Sequence, residues 1–167
     1  LDPATGAPAA PGAVGSLVVT PFAPYRETTL LLRYDTEDLV RVLPEPPTCE
    51  RAALPATSNL LGKRRLGVPH AGGWTTPRQV LEALEGLDAI PLPARCGFRA
   101  AGDGVAVEAV ARATDAATRR AVEDALEGQG VPLRELRLLT DPAALQQPYP
   151  WRGDLRETPF APSVMGR

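Results

Sequence analysis

Leu30-Leu31-Leu32-Arg33-Tyr34-Asp35-Thr36-Glu37-Asp38-Leu39 is the stretch on which the reading of this chain turns, because an apolar run leads straight into a cluster of charged and hydroxyl-bearing residues. A β-strand over residues 28–34 would carry Arg33 and Tyr34 to its edge. The oxygens of Thr36 and Asp38 just beyond could then accept and donate hydrogen bonds to a sugar. A plain turn after a strand uses the same residue types, so chemistry alone leaves both readings open.

Working outward, residues 15–20 and 28–34 are two β-rich runs separated by Pro21 and Pro24, and they read as neighbouring strands. Pro44, Pro46, Pro47 and Pro55 exclude a long helix from the next stretch, which returns at Leu60-Leu61-Gly62-Lys63. A domain boundary is placed near Gly62. Beyond it Thr76-Pro77-Arg78-Gln79 combines an N-cap threonine, a proline at the first helical position and a glutamine able to reach back. A helix follows, with Val80, Leu81, Leu84 and Leu87 on one face. Residues 91–100 read as a strand, Gly102-Asp103-Gly104 as a tight turn, and residues 105–111 as the return strand with Val105, Val107, Ala109 and Ala111 on one side. Thr114 is the expected N-cap of a second helix ending at Gly128, and residues 133–140 make the last strand. The fold class is therefore α+β: a β-rich segment over 1–61, a small ferredoxin-like unit (helix-strand-strand-helix-strand) over 62–141, and a proline-rich irregular tail over 142–167.

Composition excludes several functions. The 167 residues carry 18 Lys and Arg against 20 Asp and Glu, a net charge of −2, and Lys63-Arg64-Arg65 is too short a basic run for nucleic-acid binding. Two cysteines, Cys49 and Cys96, cannot build a zinc site of cysteines and read as reduced thiols; no metal site is expected. His70, the one histidine, lies in a Gly/Pro loop and reads as a surface residue. No apolar run reaches the ~20 residues of a membrane span, so a cytoplasmic protein is expected. The start at Leu1, in a Pro/Ala/Gly-rich segment, reads as a cut within a longer protein.

Four places together resemble the carboxyl-terminal part of adenylate-forming enzymes, in particular the phenylacetate-CoA ligase-like branch of the acyl-CoA synthetases. Residues 1–6 and 15–20, Leu-Asp-Pro-Ala-Thr-Gly and Gly-Ser-Leu-Val-Val-Thr, are similar to that family's "D-P-x-T-G" turn and "G-E-L-V-x-T" strand. Arg33 to Leu39 resembles "R-Y-R-T-G-D-L", and Gly62-Lys63 resembles the "G-R" between the large and small domains. Without a gap, Gly72 then falls on the glycine of "R-G", and Pro77-Arg78-Gln79-Val80 on "P-S-Q-I".

The resemblance implies that Asp38 holds the ribose hydroxyls of ATP or AMP, with Tyr34 and Thr36 beside the nucleotide and Lys63 in place of an arginine that also meets the ribose. Arg64 and Arg65 would form the hinge. Mg with ATP, a carboxylic acid substrate, coenzyme A and an upstream large domain are implied with them, in secondary metabolism or aromatic-acid activation. Catalytic residues are not expected here: the chain has no Gly/Ser/Thr-rich phosphate loop, and Asp154 in Trp151-Arg152-Gly153-Asp154 stands where the family's late lysine would be. Lys63 for arginine gives up a bidentate fork, Glu37 replaces a glycine, and Arg64 and Arg65 replace an acidic pair. The alternative is a degenerate, non-catalytic α+β module that binds a ligand or partner.

Overall fold

The computed structural model describes residues 1–21, 31–50, 52, 54–146 and 148–149. Its first half is a three-stranded antiparallel sheet in the order β1-β2-β3, with β1 at Val14–Val19, β2 at Tyr34–Arg41 and β3 at Gly62–Lys63. The expected second strand is displaced: Leu31 to Arg33 precede it, the strand starts at Tyr34, and residues 28–30 lie outside the described residues. The polar run is therefore not a loop after a strand. It is the strand, because Leu39 (0% exposed) and Val40 (4%) are the residues that β2 buries.

A single turn at Arg64–Leu66 leads to a short hairpin, β4 (Val68–His70) with β5 (Gly73–Thr75), and then to helix α1 (Pro77–Glu85). The capping box is present as expected. The Thr76 amide donates to the Gln79 side-chain oxygen at 2.8 Å, and the Gln79 amide donates back to the Thr76 hydroxyl at 3.4 Å. Arg78 donates its backbone N–H to the Leu61 carbonyl (3.1 Å), so the first turn of α1 is also tied to the end of the β-rich half. Gly62 makes that approach feasible. Its φ is +124°, and a Cβ there would stand 2.7 Å from the Pro77 ring.

The second half is a three-stranded sheet, β6 (Cys96–Ala101), β7 (Gly104–Val110) and β8 (Leu133–Leu139), in that order. Helix α2 (Ala116–Gly128) joins β7 to the parallel β8. In a split, ferredoxin-like arrangement a third strand would separate the two strands that a helix connects; here they are direct neighbours. The remaining differences are local. The strand expected from residue 91 begins at Cys96, after the prolines Pro91 and Pro93, which cannot donate to a ladder. The cap of α2 is Asp115, not Thr114: its carboxylate accepts from the Thr118 amide at 2.8 Å, one residue deeper than expected.

Val80 and Leu84 of α1, Val122 and Leu126 of α2, and Val105, Val107 and Ala109 of β7 close one core, with Cys96 in it. Burial pushes the Cys96 thiol up to about 12. Of the tail, Pro142–Ala144 makes a short 3₁₀ turn, and the Tyr149 amide reaches the Cys96 carbonyl at 2.7 Å. Residues 151–167, including Trp151, Arg152, Asp154 and Arg156, lie outside the described residues.

Two outcomes follow. Leu84→Ala should cost about 2–5 kcal/mol in denaturant melts and Thr76→Ala about 1 kcal/mol, the first opening a cavity and the second orphaning helix N–H groups. In thiol titration with an aromatic disulfide, the exposed Cys49 should react at once and the buried Cys96 only on unfolding.

Candidate functional site

The site begins with an irregularity in β2. Ser16 pairs with Leu39 and Val18 with Asp35, so the single residue Leu17 on β1 faces three residues, Thr36, Glu37 and Asp38, on β2. Side chains hold this bulge. The Ser16 hydroxyl donates to the Asp35 carboxylate (2.6 Å), which also accepts from the Glu37 amide (2.8 Å). The Thr36 hydroxyl donates to the Leu17 carbonyl (2.9 Å) and accepts from the Asp38 amide (3.1 Å). Glu37 sits at φ +59°, a conformation glycine adopts freely and other residues at a cost of ~1 kcal/mol or more.

β3 lies on the other side of β2, with Asp38 opposite Lys63 and Leu39 opposite Gly62. The register brings the Lys63 ammonium to 2.8 Å from the Asp38 carboxylate, and the same ammonium donates to the Thr36 carbonyl at 3.0 Å. Arg64 reaches Asp35 at 3.0 Å and Glu37 at 3.5 Å, and Arg65 reaches Glu37 at 3.7 Å. The Asp35 carboxyl is held below its ordinary value first by the Ser16 hydrogen bond, then by the Glu37 amide and the Arg64 cation.

Asp38 and Lys63 open onto a cleft of about 640 Å³ whose other walls include Leu60, Leu66, Leu81 and Tyr149. Apolar side chains share the lining with two ion pairs, Asp38–Lys63 and Arg78–Glu82, and with Glu85. Asp38 and Lys63 are thus brought together in one open cleft. Tyr34, half exposed at the start of β2, and Thr36, its hydroxyl already engaged by backbone on both sides, are not among the residues that line it. Arg64 and Arg65 lie at the turn, bonded to β2.

Tyr149 is the lining residue that sequence reasoning passed over. It sits in a proline-rich stretch read as irregular, and its place follows from its stacking on Phe98 (ring centroids 6.5 Å apart), a residue far back in the sequence. His70, expected on the surface, is partly buried; its Nδ1 accepts from the Gly72 amide (3.2 Å), and its Nε2 is enclosed without a partner among the described residues. Trp74 lies on Gly67, where a Cβ would come within 3.2 Å of its ring. No group of three or more His, Cys, Asp or Glu able to hold a metal occurs among the described residues, and no helix there is long and apolar enough to cross a membrane.

No protein-family model and no curated protein sequence matches the chain. Solved structures do. A 2-hydroxyisobutyryl-CoA ligase in the postadenylation state, in complex with R3-HIB-AMP, aligns with a TM-score of 0.57 at 18% identity, over 94% of this chain and 36% of that one. An anthranilate CoA ligase in complex with anthranoyl-AMP gives 0.53 at 13% identity, over 89% and 30%. An ATP-bound RpMatB-BxBclM chimera gives 0.50 at 20% identity, over 94% and 32%. The chain thus has the fold of part of these CoA ligase structures and spans about a third of their length.

Asp35 stabilises the folded state through a depressed carboxyl, so its contribution is complete above the ordinary value of 3.8 and is lost as pH falls through the lower folded value. The melting temperature of Asp35→Asn should accordingly lie below that of the parent sequence at neutral pH and converge with it in acid. Gly62→Ala should destabilise by about 2 kcal/mol or more in denaturant melts, because it meets both the strained φ and the Pro77 ring.

Proposed function

We propose that the chain is the carboxyl-terminal part of an ATP-dependent, carboxylate-activating enzyme that forms acyl adenylates, of the acyl-CoA ligase type and its phenylacetate-CoA ligase-like branch. The observation that carries this reading is the in-register pair of Asp38 and Lys63, 2.8 Å apart on adjacent strands at the mouth of an open cleft. Shared fold with ligases solved with R3-HIB-AMP, anthranoyl-AMP and ATP supports it.

In this reading Asp38 accepts hydrogen bonds from the two ribose hydroxyls and Lys63 donates to one of them, with Tyr34 near the nucleotide. Arg64 and Arg65 form the joint between the 1–61 segment and the 62–141 unit. The acid substrate and the phosphates of ATP, with Mg, are held by an upstream large domain, and coenzyme A is the acyl acceptor. The carboxylate oxygen of the substrate attacks the α-phosphate and pyrophosphate leaves, so the chain alone is inactive and contributes orientation rather than chemistry. A cytoplasmic enzyme of secondary metabolism is the setting this reading fits.

A second reading, a non-catalytic module that binds a ligand or partner, draws on two observations. Asp154 replaces the expected lysine, and a carboxylate there would repel a phosphate. The Asp38 carboxylate is already neutralised by Lys63, so a diol must share it.

Pyrophosphate exchange into ATP, measured with aromatic and short-chain acids on this chain joined to its upstream domain, separates the two. Under the enzyme reading one acid supports exchange, and Asp38→Ala lowers it by about tenfold or more, as expected for losing a charge-assisted bond of roughly 1.5–3 kcal/mol. Absence of exchange with every acid, together with no shift in melting temperature on adding ATP or AMP, rules that reading out in favour of the module.

A further inference from the structure

The turn after β3 has little of its own to hold it. None of Arg64, Arg65 and Leu66 is buried, and Lys63 makes no side-chain cap to the turn. Among the described residues, the backbone bond that closes it runs from the Gly67 amide to the Arg64 carbonyl at 3.1 Å. What joins it sideways to β2 is charge. Lys63 meets Asp38, Arg64 meets both Asp35 and Glu37, and Arg65 meets Glu37, at 2.8 to 3.7 Å. Because Arg64 and Glu37 each serve two partners, the Asp35-Arg64-Glu37-Arg65 contacts form one linked chain, which orders the side chains jointly where isolated surface pairs would contribute little.

We propose that Asp35 and Glu37 of β2, with Arg64 and Arg65, form an ionic clamp that fastens the 64–66 turn to the sheet and lets it go as ionic strength rises. The partners are half-exposed, with side-chain exposures of 33% for Arg64, 37% for Asp35, 45% for Glu37 and 67% for Arg65, so mobile ions reach them. Neighbouring backbone stays fixed when the clamp opens: β3 is held by its ladder to β2 and by the Leu61 amide on the Leu39 carbonyl (2.8 Å), and α1 by its capping box. Opening is therefore confined to the turn. The clamp concerns this chain's own conformation and does not depend on nucleotide binding, so it stands or falls apart from the function proposed above.

Arg65 is itself a trypsin site, which gives a direct readout. Cleavage of the Arg65–Leu66 bond in the whole chain is followed by mass spectrometry and divided by the cleavage rate of a free peptide spanning residues 60–70. Going from about 0.01 M to about 1 M sodium chloride shrinks the screening length from ~30 Å to ~3 Å, and relative cleavage should rise roughly fivefold or more. At low salt Glu37→Gln should show the same rise. Asp35→Lys combined with Arg64→Glu, which reverses one pair, should be cut more slowly than Asp35→Lys alone, which lacks the same Ser16 and Glu37 hydrogen bonds, each normalised to a peptide of its own sequence. Slow cleavage after Arg119, within α2, in all samples identifies the change as local. Equal relative cleavage at both salt concentrations, no effect of Glu37→Gln, or no recovery in the reversed pair overturns the clamp.

Discussion

The bulge in β2 is the constraint on which the rest of the site depends. In a regular strand, residues 35 and 37 would face one side of the sheet and residues 36 and 38 the other. Placing Thr36, Glu37 and Asp38 opposite Leu17 alone breaks that alternation. Asp35, Glu37 and Asp38 consequently all meet the same basic segment, Lys63 to Arg65. The bulge is itself held by two hydroxyls, Ser16 on the Asp35 carboxylate and Thr36 on the Leu17 carbonyl, so short polar side chains within the sheet do the positioning that a loop would otherwise leave free.

From that one irregularity the site's electrostatics follow. Asp38 is the least exposed of the three acids of β2 that meet this segment, at 19%, and its carboxylate takes the compact Lys63 ammonium, which also bonds the Thr36 carbonyl. An arginine at position 63 would present a planar fork; lysine presents a point charge with three rotatable donors. Lysine can therefore keep its carbonyl bond while turning another donor toward a ligand. Gly62, at φ +124°, lets β3 run directly against Pro77, and both residues line the cleft beside the Asp38–Lys63 pair.

Local signals in the sequence were legible and distant ones were not. Thr76-Pro77-Arg78-Gln79 announces α1 because a capping box is satisfied within four residues. Gly102-Asp103-Gly104 between alternating runs announces the β6–β7 hairpin for the same reason. The start of β2 was missed because Leu30 to Leu32 has the composition of a buried strand, whereas Leu32 is 70% exposed and the buried pair is Leu39 and Val40. Pairing with β1 decided that, and pairing partners are not written in the strand itself. The cap at Asp115 in place of Thr114 is a one-residue error between two good caps. Asp38 and Lys63 could be named as candidates, but their contact depends on the β2–β3 register across twenty-five positions. Tyr149 had no local signal at all.

The departures from the resembled motif are not scattered. Where "R-Y-R-T-G-D-L" has an arginine and a glycine, this chain has Asp35 and Glu37; where the hinge has acids, it has Arg64 and Arg65. Charges placed at random on these two segments would leave like charges facing each other about as often as opposite ones. Here the acids lie on β2 and the bases on the turn, and they meet at 3.0 to 3.7 Å. Glu37 holds a left-handed backbone that glycine would adopt without strain, and its carboxylate faces both Arg64 and Arg65. These charges thus tie β2 to the turn directly beside the Asp38–Lys63 pair, so the position of the turn and that of the pair depend on the same bulge.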